Sequence, residues 1–180
     1  MSAGVLTPPL GKSDHVAGPA TAAVILVEYG DFECPYCGQA YPIVKRIQQA
    51  LGAELRLAFR HFPITQTHPH AQHAAEASEA AADRGRFWEM HDRLFEHQDA
   101  LDDRDLVRYA SDIGVTGAAV ARALATGTYT RSVREHFLSG VLSGVNGTPT
   151  FFINGRRYDG DWTDEVAFLG ALRSSSLAAT

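Results

Sequence analysis

The sequence has few cysteines: there are two in 180 residues, Cys34 and Cys37, and they lie three positions apart. This excludes the disulfide scaffold of small secreted proteins, because a bond between such near neighbours closes too small a loop to constrain the chain. The pair is therefore expected to be either redox-active or metal-binding, since both chemistries use this spacing.

The sequence also lacks a long apolar run and a run of basic residues. Its longest unbroken apolar stretch, Ala22 to Val27, is far too short to span a bilayer and is typical of a buried strand. The formal net charge is -5, with Lys and Arg scattered along the chain, which argues against nucleic acid or a membrane surface as a partner. The content of 45% hydrophobic and 21% charged residues is that of a globular protein.

The first ten residues, Met1 to Leu10, lack the basic n-region and the apolar h-region of a signal peptide. The expected location is therefore the cytoplasm. If a leader has been removed, the expectation changes to the periplasm or another extracytoplasmic location.

The first third of the chain predicts a strand, a helix and a second strand. Residues 1–22 are expected to be an irregular lead-in with a short edge strand near Val5 and Leu6. A β-branched run at 23–29 predicts a buried strand, and the alternation over 54–62 predicts another. Between them a helix should begin at Pro35, which suits a first helical position. This order predicts a βαβ unit with parallel strands.

The rest of the chain predicts a helical block and then a short return to sheet. No strand pattern occurs between His68 and Val145, where helical spacing of apolar residues recurs. Strand pattern returns at 150–153, and Asn154-Gly155 predicts a type I′ hairpin leading to a strand at 156–159. A last helix is expected over 163–173, capped by Asp161 or Thr163.

The order βαβ, helical block, ββα, with a CxxC pair opening the first helix, resembles the thioredoxin superfamily, and the helical block resembles its DsbA-like branch. The segments VEYGDFECPYC (27–37) and GTPTFFING (147–155) carry the resemblance, which covers residues 23 to 173. It implies an α/β thioredoxin fold (βαβ–ββα) with an all-helical insertion between the two halves. The predicted units are a lead-in at 1–22, a thioredoxin-like domain at 23–67 and 146–174, an inserted helical domain at 68–145 and a flexible tail at 175–180.

The position of the cysteines predicts their roles. A cysteine at a helix N-terminus faces unpaired backbone N–H groups and the positive end of the helix dipole, which favour the thiolate. Its pKa then falls from about 8.5 into a range of roughly 3.5 to 7.5. Cys34, nearer the helix start, is predicted to be the nucleophile, and Cys37, one turn on, the resolving thiol. The predicted activity is disulfide exchange with protein or small-thiol substrates and a redox partner.

Five further residues are assigned to this site. Glu28 interrupts a buried strand six positions before Cys34, which is costly for a carboxylate without a task. In thioredoxin-like proteins an acidic residue at this offset is implicated in relaying the proton of the resolving thiol. Thr148 and Pro149 match the cis-proline loop that the superfamily places opposite the cysteines. They are expected to bind substrate, together with Pro35 and Tyr36.

A second hypothesis is a metal-binding regulatory module. Cys34 and Cys37 would then need two more ligands, which histidines or carboxylates would have to supply. His68, His70 and His73 cluster around a proline at a helix start, where either metal binding or a solvated loop-to-helix junction is expected. His61 is equally compatible with approach to the cysteines and with a capped strand end. A glutathione-dependent transferase is a third alternative, against which the intact CxxC counts. The redox hypothesis predicts no metal and no cofactor, and the aromatic pairs at 87–88 and 94–95 are expected to be core.

The dipeptide between the cysteines bears on the direction of electron flow. Potentials run from about -270 mV in thioredoxin to about -120 mV in DsbA. Tyr36 cannot stabilise a thiolate by charge as the histidine usual in DsbA-like proteins can. The sequence therefore predicts a less oxidising couple than that of DsbA. A reducing compartment would favour reduction or isomerisation over oxidation, which leaves the direction open.

Overall fold

The computed structural model describes residues 4–177, which form one five-stranded mixed sheet flanked by helices. The strands lie in the order β1-β3-β2-β4-β5. β2 and β3 are parallel, as the βαβ prediction requires, and the other neighbouring pairs are antiparallel. The strands are β1 (His15–Ala17), β2 (Val24–Gly30), β3 (Leu55–His61), β4 (Thr150–Ile153) and β5 (Arg156–Arg157).

Seven α-helices occur among the described residues. None of the helices within residues 4–177 has the length and apolar character needed to cross a membrane. The helices are α1 (Pro35–Leu51), α2 (Ala71–Ala82), α3 (Phe87–Glu96), α4 (Asp103–Asp112), α5 (Gly117–Thr126), α6 (Thr130–Leu142) and α7 (Glu165–Leu177).

The helices α2 to α6 occupy the segment between β3 and β4, where the sequence predicts a helical block. The apolar side chains of α2 to α5 form one core cluster that also contains both cysteines, together with Phe32 and Phe59 of the sheet side. Burial of this apolar surface is the main force holding the helices to the sheet. The cysteine pair therefore lies where the sheet, α1 and the helical block meet.

The hairpin predicted at Asn154-Gly155 is present. Both residues have positive φ angles, 47° and 81°, as a type I′ turn requires, and Ile153 pairs with Arg156 across it. The second strand is shorter than expected, because β5 ends at Arg157 rather than Asp159.

The N-terminal lead-in is more regular than the sequence predicts. Val5 makes an isolated bridge to Arg156, whereas the longer edge strand is β1, which pairs with β3. The reason lies in β3, whose Arg60 side chain holds the lead-in: its guanidinium donates to both carboxylate oxygens of Asp14 and to the carbonyls of Pro8 and Pro9.

The last helix differs from the prediction at both ends. Neither Asp161 nor Thr163 caps it; the Asp164 carboxylate instead accepts from the backbone N–H of Ala167 at 3.0 Å, while Asp161 caps a turn by accepting from Thr163. The helix continues to Leu177, beyond the predicted end at 173. Residues 178–180 of the predicted tail lie outside the described part of the chain.

Candidate active site

Cys34 occupies the residue that caps the start of α1, with Pro35 in the first turn. Its backbone is extended, and its N–H donates to the carbonyl of Asp31 at 3.1 Å. Gln98, from beyond α3, donates to the carbonyl of Cys34 at 2.9 Å. The helical block thus helps to fix the backbone that carries the reactive sulfur. The sequence analysis did not identify Gln98, since only the fold brings it here.

The two sulfur atoms have opposite environments. The pKa of Cys34 is lowered to about 5, and the largest cause is a hydrogen bond from Cys37. Burial of Cys34 acts in the opposite direction. Hydrogen bonds from Thr148 and from backbone N–H groups at the helix start lower the pKa further. Burial is the largest cause that raises the pKa of Cys37 well above its usual value, followed by its donation to Cys34. Near neutral pH, Cys34 is therefore a thiolate and Cys37 a thiol.

Glu28 lies on β2, in register with Phe59 of β3 and Phe151 of β4. Its side chain is buried, and its Oε1 has no hydrogen-bond partner among the described residues. Burial raises the pKa of Glu28 to about 8, and the negative charge of Cys34 adds to the shift. Its charge in turn raises the pKa of Cys37, so the carboxyl and both sulfur atoms are electrostatically coupled.

The loop before β4 lies against the reactive sulfur. The thiol of Cys34 donates to the carbonyl oxygen of Thr148 at 3.4 Å, and the Thr148–Pro149 peptide bond is cis. The hydroxyl of Thr148 is buried and has no hydrogen-bond partner among residues 4–177, so it is free to donate to a thiolate, which lowers the pKa of Cys34. Pro35 and Tyr36 are exposed on the other side, Tyr36 at 61%.

Asp31 and His68 form a pair near the cysteines, which the sequence alone does not predict. The Asp31 carboxylate is buried and accepts from His68 Nδ1 at 2.7 Å and from the backbone N–H of Ile64 at 2.8 Å. Its own backbone N–H lies 3.5 Å from Cys37 Sγ. Burial lowers the pKa of His68, but Asp31 and the charge of Cys34 outweigh it and raise the pKa overall.

The remaining histidines do not converge on the cysteines. His61 contacts Glu79, at 2.9 Å, rather than Cys34 or Cys37. His73 pairs with Asp103, and the backbone N–H of His70 donates to Glu33. Within residues 4–177, the one group of three or more side chains close enough to share a metal ion contains neither cysteine. The cysteine-based metal hypothesis thus gains no ligand from this geometry.

Comparison with known proteins identifies related sequences. A family model described as Thioredoxin matches residues 11–168. A protein named Na(+)/H(+) antiporter NhaA 1, from Salinispora arenicola strain CNS-205, is 47% identical over 167 residues, which cover 93% of this chain and 25% of that protein. The chain spans about a quarter of the length of the curated relatives it matches.

Solved structures share the fold at low identity. BdbD from Bacillus subtilis, in its oxidised form, is 22% identical with a TM-score of 0.87, and the match covers 97% of this chain and 99% of that one. Alpha-DsbA1 from Wolbachia pipientis is 18% identical with a TM-score of 0.81, over 95% and 94% of the two chains. The predicted thioredoxin fold with its helical block is thereby confirmed.

Proposed function

The chain belongs to the thioredoxin family, and from that premise we propose that it is a thiol–disulfide oxidoreductase in which Cys34 attacks and Cys37 resolves. The observation that carries the proposal is the opposite shift of the two thiol pKa values within one turn of α1. The thiolate is the nucleophile in disulfide exchange. The difference in pKa therefore leaves Cys34 as the attacking thiolate and Cys37 as a thiol that can react in the second step.

In the reducing direction, the Cys34 thiolate attacks one sulfur of a substrate disulfide. A bond forms between Cys34 Sγ and that sulfur, and the other substrate sulfur leaves as a thiolate. Cys37 then loses its proton and attacks Cys34 Sγ, which releases the second substrate thiolate. Two electrons have passed to the substrate, and Cys34 and Cys37 are joined as a disulfide. Oxidation of a substrate dithiol follows the same steps in reverse.

Glu28 is proposed as the acceptor of the Cys37 proton. While Cys34 is a thiolate, its charge helps to keep Glu28 protonated, because it adds to the upward shift of the carboxyl pKa. Once Cys34 is bonded to substrate, that charge is gone and the pKa of Glu28 falls. The fraction of Glu28 that is ionised, with its proton passed to water, then rises at the step in which Cys37 needs a base.

Substrate is proposed to bind between the Thr148–Pro149 loop and the exposed Pro35-Tyr36 dipeptide. The Thr148 carbonyl lies 3.4 Å from Cys34 Sγ, so an incoming disulfide sulfur would approach along this loop. A solvent-facing tyrosine beside the reactive sulfur offers apolar contact to an extended peptide. Protein disulfides are therefore the proposed substrate class, with small-thiol disulfides as an alternative.

The potential of the couple is proposed to lie between those of thioredoxin and DsbA, about -270 and about -120 mV. A pKa of about 5 for Cys34 lies between the values of roughly 7 and 3.5 for those two proteins. The lower the thiolate pKa, the more the reduced form is stabilised and the more oxidising the couple. A glutathione titration measures this directly; a value near that of DsbA would contradict the expectation from Tyr36.

The antiporter activity in the relatives' names belongs to proteins of which this chain matches about a quarter. The region of this chain that matches them includes the cysteine pair, and we propose redox chemistry rather than ion transport for that region.

The cytoplasmic location expected from the sequence, with its extracytoplasmic alternative, stays a proposal. Fractionation of cells that express the chain from its own gene would distinguish the two.

Trapping of the mixed disulfide tests the proposed roles. The Cys37→Ser variant should accumulate a covalent adduct with a disulfide substrate such as insulin, because the resolving thiol is missing. The Cys34→Ser variant is the matched control and should form no comparable adduct. Non-reducing mass spectrometry measures both. Equal adduct formation by the two variants, or none by either, would overturn the assignment.

A further inference from the structure

A second cluster of titratable side chains lies away from the cysteine pair, where β1, β3 and α2 meet. His15 belongs to β1, His61 ends β3 and Glu79 lies on α2. The Nε2 atoms of the two histidines lie 2.7 and 2.9 Å from the same carboxylate oxygen, Glu79 Oε1. One donor atom from each of the three side chains lies within 4.8 Å of the other two.

The cluster is almost closed to solvent. The exposed fraction of the side chain is 14% for His15, 1% for His61 and 9% for Glu79. His136 of α6 packs on it, with its ring centroid 5.3 Å from that of His61. Burying so many polar groups is costly unless they are paired or bind a cation.

The three side chains have the donor types that transition metals prefer. We propose that His15, His61 and Glu79 form a binding site for a divalent transition metal ion of the zinc class. Two imidazole nitrogens and one carboxylate oxygen are a known zinc ligand set that leaves a fourth position open. Ligands of one tetrahedral zinc ion, at about 2.0–2.1 Å from the metal, lie roughly 3.3 Å apart. The two nitrogen–oxygen separations, 2.7 and 2.9 Å, require an outward shift of about half an ångström, within the reach of small side-chain rotations.

Metal binding requires a neutral imidazole and an ionised carboxylate. A metal at His61 Nε2 places the ring proton on Nδ1, an atom that has no hydrogen-bond partner among the described residues. That unpaired N–H is a cost that the metal–ligand bonds must offset.

A surface cavity lies beside the cluster. It has a volume of about 190 Å³ and is lined by Ser132, Glu135 and His136, among others. Ser132 donates to Glu79 Oε2 at 3.0 Å, so one lining side chain of the cavity contacts the proposed ligand. A bound ion would join the N-terminal strand, the sheet and the helical block at one point.

The site does not depend on the redox proposal, because neither cysteine takes part in it. The test therefore uses the full chain carrying Cys34→Ser and Cys37→Ser, which removes zinc binding by thiols. Chelator-treated protein is titrated with ZnCl2 by calorimetry. We expect one zinc ion per chain. Loss of a residue that only supports a metal ligand typically weakens metal affinity by roughly 10–100-fold. His15→Gln, added to this protein, removes a ligand itself and should weaken zinc affinity by at least that factor.

The matched control is His73→Gln, which changes an exposed histidine paired with Asp103 and should leave zinc affinity unchanged. Nitrogen NMR of the histidine rings in the unsubstituted chain gives a readout that needs no ligand variant. Zinc should shift the Nε2 signals of His15 and His61 together. Absence of stoichiometric zinc, unchanged affinity in His15→Gln, or ring shifts confined to other histidines would overturn the proposal; the cluster would then be a closed hydrogen-bonded core.

Discussion

Two residues of the same type differ here because of where α1 begins. Cys34 is at the start of the helix, where Cys37 and backbone N–H groups donate to its sulfur, whereas Cys37 is fully buried. The donors that stabilise one thiolate come partly from the other thiol, so the two shifts reinforce each other. One short sequence motif thus produces two chemically distinct sulfur atoms.

When protonated, His68 supplies the positive charge that the Pro35-Tyr36 dipeptide lacks. Its ring is fixed by the buried Asp31, and the charge of Cys34 contributes to its raised pKa. An imidazolium near a thiolate stabilises the charged form. His68→Gln should therefore raise the pKa of Cys34 by about 1 unit, read from the ultraviolet absorbance of the thiolate against pH.

The control for this prediction is His73→Gln, whose side chain pairs with Asp103 away from the cysteines. It should leave the Cys34 titration in place. An unchanged Cys34 pKa in His68→Gln would show that the charge of His68 does not stabilise the Cys34 thiolate.

At the scale of elements, local signals in the sequence were sufficient for much of the fold. A β-branched run, a proline at a helix start and an Asn-Gly turn each specify their own structure, and β2, α1 and the β4–β5 hairpin follow them. β1 was missed because three residues with no periodicity become a strand only by pairing with β3. Asp31 and His68 were missed as a pair because tertiary folding, not spacing, brings them together.

The packing of α6 on the sheet depends on a glycine. A Cβ atom at Gly140 would lie 2.6 Å from the Phe62 ring and 3.1 Å from that of Tyr29. Both rings are buried and have little freedom to move. Gly140→Ala should therefore destabilise the protein by about 1–3 kcal/mol through overpacking, measured by urea unfolding.

Gly170 in α7 is the matched control for this prediction. A Cβ atom there meets nothing within 4 Å, so Gly170→Ala should stabilise the protein by up to about 1 kcal/mol through helix propensity. Equal effects of the two substitutions would contradict the close approach at Gly140.

On the scale of the whole molecule, one buried ion pair attaches the N-terminal lead-in to the sheet. The side chains of Arg60 and Asp14 are each 3% exposed, and Arg60 Nε lies 2.6 Å from Asp14 Oδ1. Burial alone would raise the pKa of Asp14, but hydrogen bonds from Arg60 and Gly11 lower it overall. The lead-in is thus part of the folded unit.

Asp14→Asn leaves the Arg60 charge buried without its partner and should cost about 3–5 kcal/mol at neutral pH. Because the folded-state pKa of Asp14 lies below its ordinary value of 3.8, its contribution is complete above that pH and is lost as the pH falls through the folded value. The stability difference from the unsubstituted chain should therefore shrink below about pH 4. Urea unfolding as a function of pH measures it, and a difference that persists at low pH would contradict the ion-pair account.

The measurement that tests the central claim most directly is the ionisation of each cysteine in the reduced, unsubstituted chain. Alkylation rates of Cys34 and Cys37 are followed separately by mass spectrometry as the pH is varied. We predict that Cys34 titrates near pH 5 and that Cys37 stays unreactive until well above its ordinary pKa of 9.0. Two cysteines that titrate together near their ordinary pKa, or a Cys37 that reacts first, would contradict the division of roles on which the proposed function depends.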